Sequence, residues 1–218
     1  MKIFLDTANI KEIDEILQWG VVDGVTTNQK IFLNEKGVNF EDRIKEICDR
    51  LETKPVSVES NSSNLDDILE DSRNFSKIAK NVVPKIAMTP DGIGLKAIHI
   101  LSTENIHINA TVMMSFNQLM LATKAGASYV SLFYNRAKDA GEDPNKTIKR
   151  FVDWTTKNKL STKLIVGSIR HPNDIEEAIS AGAHIVTIPY KILKEMPFHQ
   201  KTVETIQEFD KAWHDFNN

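Results

Sequence analysis

Short apolar runs alternate with longer amphipathic stretches along the whole chain of 218 residues. The runs are rich in Val and Ile and mostly lack polar alternation, which is typical of parallel strands that are buried on both faces. We therefore predict eight strands, at residues 2–6, 21–26, 55–59, 81–87, 106–112, 129–133, 163–167 and 184–188.

The stretches between these runs carry apolar residues at helical spacing. Two clear stripes consist of Ile10, Ile13, Ile16 and Leu17, and of Ile44, Ile47 and Leu51. Asn64 followed by Asp66 and Asp67 predicts the capped start of another helix, because first-turn acids favour the positive helix terminus. Gly126 and Gly182 lie in Ala-Gly-Ala turns, where glycine suits a left-handed helix end.

Successive strand–helix units without a linker or low-complexity stretch predict one domain over residues 1–218. The fold class is then α/β, and the architecture is a single closed (β/α)8 TIM barrel. An open, doubly wound sheet is the alternative. The chain has no GxGxxG motif, so dinucleotide binding has no support in the sequence.

The chain continues after the eighth strand further than one short helix needs, and residues 199–218 predict an extra C-terminal helix. Its apolar residues Val203, Ile206, Phe209 and Trp213 fall near one face. Two placements remain open for this face. It packs either on the chain's own barrel or on a neighbouring subunit.

Composition narrows the class of protein. Hydrophobic residues make up 41% and charged residues 26% of the chain, an ordinary globular balance. The net charge of -3 gives no reason to expect nucleic acid, which favours a basic face. No stretch has the length of a membrane span or the character of a signal peptide. The single cysteine, Cys48, fits a reducing compartment, and we expect a cytoplasmic protein.

Polar residues at the ends of the predicted strands are the candidates for function, because barrels of this kind form their sites there. Seven successive strands carry or lead to such residues: Asp6; Thr26, Thr27 and Asn28; Glu59; Lys85; Asn109 and Thr111; Asn135 and Arg136; Ser168 and Arg170. Any one of them would be unremarkable as a solvated loop position. Seven strands that converge on one rim indicate a functional site.

Lys85 is the most informative of these residues, since it lies within an apolar strand between Val83 and Ile86. Burial disfavours the charged ammonium and makes the neutral amine available, which imine formation with a ketone requires. The alternative is a structural ion pair with a buried carboxylate.

Other chemistries find little support. The six histidines show neither i,i+4 spacing nor a cysteine partner, so no metal site is expected. The chain has no G-x-S-x-G elbow for a serine nucleophile. Cys48 stands beside Ile47 in a helical stretch and is interpreted as a core residue.

Several short motifs occur in order along nearly the whole chain. The first two are the opening segment at residues 1–9, MKIFLDTAN, and the segment at residues 23–28, DGVTTN. The others lie at residues 81–86, 109–111, 125–127, 141–143 and 168–170, and read NVVPKI, NAT, AGA, GED and SIR. Together these motifs resemble the small transaldolase and fructose-6-phosphate aldolase family. The resemblance implies a barrel enzyme that acts on sugar phosphates and needs no cofactor or metal.

The resemblance also implies a role for each matching residue. Lys85 matches the Schiff-base lysine, and Asp6 matches the acid–base residue beside the bond that breaks. Glu59 and Thr111 match the pair that activates a water for imine formation and hydrolysis. The remaining matches are substrate-binding: Asn28 and Asn109, with Thr26, for the dihydroxyacetone hydroxyls, and Arg136, Ser168 and Arg170 for the phosphate.

The implied reaction transfers a dihydroxyacetone unit in the non-oxidative pentose phosphate pathway. A ketose phosphate such as sedoheptulose 7-phosphate or fructose 6-phosphate is the donor. An aldose phosphate such as glyceraldehyde 3-phosphate or erythrose 4-phosphate is the acceptor. The family resemblance further implies a homo-oligomer, either a pentamer or a decamer.

The sequence departs from the family pattern at a few positions. Gln29 and Lys30 follow the Thr-Thr-Asn motif where the family usually has Pro-Ser, and Pro84 precedes the lysine where valine is usual. A proline inside a central strand removes a donor from the hydrogen-bond ladder and normally argues against that location.

Three functions remain open from the sequence: a transaldolase, an aldolase that releases free dihydroxyacetone, and a non-catalytic sugar-phosphate-binding barrel. Glu59 and Phe133 favour the first, because family transaldolases carry Glu and Phe at these positions and the aldolases carry Gln and Tyr. Phe133 also has a plain interpretation as barrel packing.

Overall fold

Eight parallel strands close into a barrel in sequence order in the computed structural model, which describes residues 1–217. Strand β1 pairs with β2 on one side and with β8 on the other, which closes the barrel and makes the open-sheet alternative wrong. The (β/α)8 prediction is confirmed. The strands are β1 (Lys2–Asp6), β2 (Gly24–Thr26), β3 (Val56–Glu59), β4 (Val82–Ala87), β5 (Asn109–Met113), β6 (Tyr129–Phe133), β7 (Lys163–Gly167) and β8 (Ile185–Pro189).

Helices connect the strands on the outside of the barrel. They are α1 (Ile10–Leu17), α2 (Gln29–Phe32), α3 (Phe40–Leu51), α4 (Leu65–Ile78), α5 (Ile93–Thr103), α6 (Phe116–Ala125), α7 (Tyr134–Asp139), α8 (Pro144–Lys157), α9 (Pro172–Ser180), α10 (Tyr190–Glu195) and α11 (Gln200–Phe216). The predicted cap on α4 is confirmed, since the Asn64 side chain accepts a hydrogen bond from the backbone N–H of Asp67. Gly126 ends α6 at a φ of 107°, in the left-handed region.

Alternate strand residues face different environments, which the sequence pattern concealed. Outward-facing residues such as Leu5, Val25 and Leu132 are fully buried in the main core. A second, smaller core cluster lies inside the barrel and consists of Phe4, Ile165 and Ile185, with Tyr129 packed against it. Nearer the carboxyl ends, the same inward positions carry buried polar residues: Thr26, Ser57, Lys85, Asn109, Thr111, Ser131 and Thr187. The barrel interior therefore has two layers. The apolar cluster nearer the amino ends of the strands forms an apolar floor, and the buried polar residues nearer the carboxyl ends form a polar layer above it.

Pro84 lies inside β4 and is buried, in spite of the argument against proline in a central strand. The hydrogen-bonded register between β4 and β5 begins at the pair Lys85–Asn109, one residue after the proline. Pro84 thus precedes that ladder, and on the β3 side it lies opposite Val58. The missing N–H therefore leaves the pairing of Lys85 intact.

Two residues at strand ends adopt backbone conformations that are rare for their type. Val112 in β5 has a φ of 61°, at an irregularity in the register between β5 and β6. Ser168, directly after β7, has a φ of 60°. Such conformations cost about 1–3 kcal/mol each and cluster where a fold positions functional groups.

The apolar face of helix α11 is exposed, and none of the residues of this helix is buried. Phe209, Trp213 and Phe216 are 69%, 67% and 79% exposed. Trp213 stacks on Phe216, with ring centroids 5.8 Å apart. The chain's own barrel therefore does not cover this face.

The interpretation of Cys48 as a core residue is confirmed. Cys48 is buried in α3 as a core residue, and desolvation raises the pKa of its thiol to about 12. Within residues 1–217, no helix combines the length and the apolar character that crossing a bilayer requires.

Candidate active site

Two adjoining cavities open at the carboxyl ends of the strands and share Asp6, Asn28, Phe133 and Arg136. The wider one, which we call the cleft, has a volume of about 450 Å³. Its other lining residues are Gln29, Lys30, Ile31, Asn34, Glu59 and Val112. The deeper one, the inner cavity, has a volume of about 140 Å³ and is also lined by Thr26, Lys85, Thr111, Ser131, Gly167, Ser168 and Thr187.

Lys85 and Glu59 form a buried ion pair at the base of these cavities. The Nζ atom of Lys85 lies 3.0 Å from Oε2 of Glu59, and the two side chains are 6% and 10% exposed. Nζ also donates a hydrogen bond of 2.9 Å to the carbonyl oxygen of Thr27. Both residues sit opposite each other in the register of β3 and β4, so strand pairing itself brings the amine and the carboxylate together. The ion-pair alternative for Lys85 therefore describes a real contact, which does not exclude a nucleophilic amine.

Asp6 is a second carboxylate beside this pair, at the end of β1. Desolvation by burial raises the pKa of Asp6 above its ordinary value, while the positive charge of Lys85 and a hydrogen bond from Thr26 act in the opposite direction. The Thr26 hydroxyl donates to Oδ1 of Asp6 at 2.7 Å. The hydroxyl oxygen of Thr26 also lies 2.5 Å from the hydroxyl oxygen of Thr187. Because Thr26 uses its one proton on Asp6, Thr187 must be the donor to Thr26. A carboxyl with a raised pKa is suited to take up and return a proton.

Asn109 is held in a fixed orientation within the inner face of the barrel. Its amide nitrogen donates to Oγ of Ser57 at 3.2 Å, and its amide oxygen accepts from Oγ of Ser131 at 2.7 Å. Asn28 is fixed in another way, because its amide oxygen caps α2 by accepting from the backbone N–H of Ile31 at 3.1 Å. The amide nitrogen of Asn28 is left for a group in the cavities it lines.

The hydroxyl of Thr111 is buried, and no hydrogen-bond partner for it is found in the described part of the chain. Thr111 lines the inner cavity together with Lys85. A buried hydroxyl without a partner costs free energy, so a polar group in this cavity would be stabilised by it.

Phe133 and Arg136 lie on the side of the cavities formed by β6. The guanidinium carbon of Arg136 lies 5.1 Å from the centroid of the Phe133 ring, a cation–π contact. Arg136 is exposed at its rim position in α7, where an anion entering either cavity would meet it.

Ser168 and Arg170 follow β7 but are placed differently. Ser168 lines the inner cavity, whereas Arg170 lines neither cavity. The guanidinium of Arg170 forms a bidentate pair with Asp139, at 3.0 and 2.5 Å. Asn135 is likewise turned away, since it donates to Asp174 and to the carbonyl oxygen of Ser168. It serves the local structure of the loop after β7.

Sequence reasoning missed Ser131 and Thr187 as lining residues of the inner cavity. A signal was available, because Ser131 stands two residues before Phe133 and so shares its inward face. Thr187 is the one hydroxyl residue in the otherwise apolar strand β8.

Another cavity, of about 380 Å³, lies at the opposite end of the barrel, where Lys80, Asn81 and Lys163 surround it. It contains neither Lys85 nor a carboxylate, so the chemistry described above belongs to the other end. No group of three or more His, Cys, Asp or Glu side chains among residues 1–217 is arranged to hold a metal ion.

Comparison with known proteins shows the family of this chain. The family described as Transaldolase/Fructose-6-phosphate aldolase matches residues 3–218. The chain belongs to this family. A "Probable transaldolase" of Caldicellulosiruptor saccharolyticus is 43% identical over 98% of this chain and 97% of its own length. Proteins with the same description from Alkaliphilus metalliredigens and Petrotoga mobilis are 40% and 43% identical, over 98% of this chain and 98% and 95% of their own lengths.

The contacts of Asp6 predict how the pH dependence of this family member responds to one substitution. Thr26→Val removes the hydrogen bond that favours the ionised carboxyl, so the pKa of Asp6 should rise further. Activity that needs an ionised Asp6 is lost as pH falls through this pKa. The acidic limb of the kcat/KM profile should therefore move to higher pH.

The matched control is Thr155→Val, which removes a buried hydroxyl that bonds to the carbonyl oxygen of Phe151 in helix α8. Its acidic limb should coincide with that of the wild type. An unmoved limb in Thr26→Val would show that Asp6 does not control it.

Proposed function

We propose that this chain is a transaldolase that transfers a dihydroxyacetone unit between sugar phosphates through an imine on Lys85. The observation that carries the proposal is the Lys85 amine, paired with the Glu59 carboxylate at 3.0 Å and electrostatically coupled to Asp6. The Glu59 carboxylate can take a proton from the amine, and the Asp6 carboxyl can exchange a proton with the substrate. Membership of the family supports the same chemistry.

The first half-reaction begins when the neutral amine of Lys85 adds to the C2 carbonyl of a ketose phosphate. Glu59 returns the proton that it took from the amine to the carbinolamine hydroxyl, which leaves as water. The resulting protonated imine draws electrons from the neighbouring carbon–carbon bond. Asp6 accepts the proton of the C4 hydroxyl as the C3–C4 bond breaks. An aldose phosphate leaves, and the dihydroxyacetone carbons remain on Lys85 as an enamine.

The second half-reaction reverses these steps with a different aldose phosphate. The enamine carbon attacks the aldehyde carbon of the acceptor, and Asp6 returns its proton to the new hydroxyl oxygen. Water then hydrolyses the imine and frees Lys85. Sedoheptulose 7-phosphate and fructose 6-phosphate are the proposed ketoses, and glyceraldehyde 3-phosphate and erythrose 4-phosphate the proposed aldoses.

Water addition and loss at the imine are assigned to Glu59 and Thr111. Glu59 lines the cleft and contacts the amine directly. The Thr111 hydroxyl is buried beside the inner cavity, which Lys85 also lines, and has no hydrogen-bond partner in the described part of the chain. A water held between the two would be oriented by the hydroxyl and deprotonated by the carboxylate. Thr26 supports Asp6, while Asn28 and Asn109 hold the dihydroxyacetone hydroxyls.

The phosphate is assigned to Arg136 at the mouth of both cavities, with Ser168 beneath it. Guanidinium groups suit phosphate because two N–H donors can contact two oxygens at once. Arg170 could join them only if its exposed pair with Asp139 opened, and exposed pairs of this kind contribute only about 0–1 kcal/mol.

Transfer instead of release is assigned to Phe133, which lines both cavities. The two outcomes share the enamine and differ in whether a proton or an aldose phosphate reaches its carbon. A phenyl ring offers no proton, so the enamine survives until the acceptor arrives. The aldolase that releases free dihydroxyacetone is the second candidate, and a non-catalytic barrel is the third.

The setting of the reaction is also part of the proposal. We place the enzyme in the cytoplasm, in the non-oxidative pentose phosphate pathway, with sugar phosphates as its partners. We further propose a homo-oligomer, a pentamer or decamer, in which the exposed apolar face of α11 packs on a neighbouring subunit.

Covalent trapping tests the imine. Borohydride reduction in the presence of fructose 6-phosphate should add a dihydroxyacetone-sized mass to a peptide that contains Lys85. Lys85→Ala should abolish both the label and turnover. Lys80→Ala is the control, since Lys80 lies at the opposite end of the barrel and should keep both. A label on another lysine would refute the assignment.

The balance between transfer and release tests the choice between transaldolase and aldolase. The wild type should transfer dihydroxyacetone to erythrose 4-phosphate and release little of it free. Phe133→Tyr adds a proton donor beside the enamine and should shift the ratio towards release, more so together with Glu59→Gln. Coupled assays of free dihydroxyacetone and of sedoheptulose 7-phosphate measure this ratio. Equal release and transfer by the wild type would favour the aldolase.

The mass in solution tests the role of α11. Light scattering should give the wild type a multiple of the 24.6 kDa chain mass. Replacement of Phe209 and Trp213 by Glu should dissociate it, because two charges would enter an apolar contact. Lys211→Glu, on the same helix, is the control for added negative charge. A monomeric wild type, or an assembled double variant, would contradict the proposal.

A further inference from the structure

The cleft has a cationic residue on each of two opposite sides. Lys30 lies on α2, which follows β2, and Arg136 lies on α7, which follows β6. Strands β2 and β6 are four positions apart in the ring of eight, so they stand across the barrel from each other. Both side chains line the same cleft.

The charge of Lys30 is free for a ligand. Its side chain is exposed, and among residues 1–217 it forms no ion pair or hydrogen bond. The two carboxylates that line the cleft are already engaged, Glu59 with Lys85 and Asp6 with Thr26. Nearby Glu35 is bound by Arg43 and by Asn9.

The backbone that carries Lys30 is held in place. The amide oxygen of Asn28 caps the start of α2, and the amide nitrogen of Gln29 donates to the carbonyl oxygen of Ser60 at 3.4 Å. These contacts tie α2 to β2 on one side and to the end of β3 on the other. Lys30 therefore reaches over the cleft from a fixed base.

Arg170 differs from Lys30 because its charge is already paired. It carries a charge of the same sign on the loop after β7, but both of its outer nitrogens contact Asp139 and it lines neither cavity. Binding a substrate through Arg170 requires an ion pair to be given up. Binding through Lys30 requires no such exchange.

We propose that Lys30 is the second cationic contact for the substrate phosphate, opposite Arg136, and that it determines the preference for phosphorylated sugars. This inference rests on the proposed function, since it concerns the same site. A phosphate monoester carries a charge of about -1.5 to -2 near neutral pH, so one guanidinium leaves part of it uncompensated. Lys30, as a flexible point charge, can follow the phosphate of sugars that differ in length.

Binding of an unreactive pair of ligands tests this directly. Glucitol 6-phosphate and glucitol differ by the phosphate and have no carbonyl to react with Lys85. Lys30→Gln should weaken the affinity for glucitol 6-phosphate, measured by calorimetry, by about threefold to tenfold. This loss is in the range that a charged hydrogen bond contributes at an exposed position. The difference in affinity for glucitol 6-phosphate between Lys30→Gln and the wild type should shrink at high salt, because exposed charges are screened. Binding of glucitol should not change.

Three variants accompany Lys30→Gln. Lys30→Arg keeps the charge and should retain most of the affinity for the phosphorylated ligand. Lys36→Gln removes an exposed lysine of the same segment that does not line the cleft, and it should behave as the wild type. Arg170→Gln should lose less affinity than Lys30→Gln.

The outcomes separate this inference from the proposed function. Unchanged phosphate binding in Lys30→Gln, or an equal loss for both ligands, would overturn the role of Lys30. A phosphate-specific loss in Arg170→Gln that exceeds the loss in Lys30→Gln would overturn it too. A wild type that binds the phosphorylated ligand but transfers no dihydroxyacetone would refute the transaldolase, while the binding comparison would still decide on Lys30.

Discussion

The ammonium of Lys85 and the carboxylate of Glu59 face each other at 3.0 Å inside the barrel, where neither charge is well solvated. Removing one partner of such a pair typically costs about 3–5 kcal/mol, because the other charge is left buried alone. Their contact follows from strand pairing, since the two residues are register partners. Any shift of β3 against β4 would separate them, so the pair and the register stabilise each other.

The polar layer around this pair depends on the apolar floor below it. Phe4, Ile165 and Ile185 fill the barrel interior nearer the amino ends of the strands. The next inward positions, nearer the carboxyl ends of the strands, carry hydroxyl and amide side chains. Contacts such as Ser131 to Asn109 and Thr26 to Asp6 satisfy these groups within the layer. The hydroxyl of Thr111 is the exception, and a free hydroxyl beside a buried amine is where a reacting molecule can bind.

Departures from the family pattern fall at positions where the structure accommodates them. Pro84 precedes the ladder between β4 and β5, so the missing donor does not disturb Lys85. Gln29 and Lys30 lie on α2 at the rim of the cleft, where they can alter what binds without altering the chemistry beneath. Two residues with strained backbone also line these cavities, Val112 in the cleft and Ser168 in the inner cavity, so the fold accepts a local cost in free energy where it shapes the site.

Eight apolar runs separated by amphipathic stretches were enough to predict an α/β fold with a parallel sheet buried on both faces, and to favour the barrel over an open sheet. The pairing of β1 with β8 then closed the barrel. The sequence also indicated Lys85, since a lysine in an apolar strand stands out locally. The family motifs supplied the candidates Asp6, Glu59 and Thr111.

Which polar residues share one cavity could be seen only in the folded barrel. It brought Ser131 and Thr187 into the inner cavity and Lys30 into the cleft, and it placed Arg170 against Asp139 instead. The positions of the strands can be predicted from the chain, whereas the direction of a long side chain after a strand cannot. That direction depends on which opposite charge the closed barrel brings within reach.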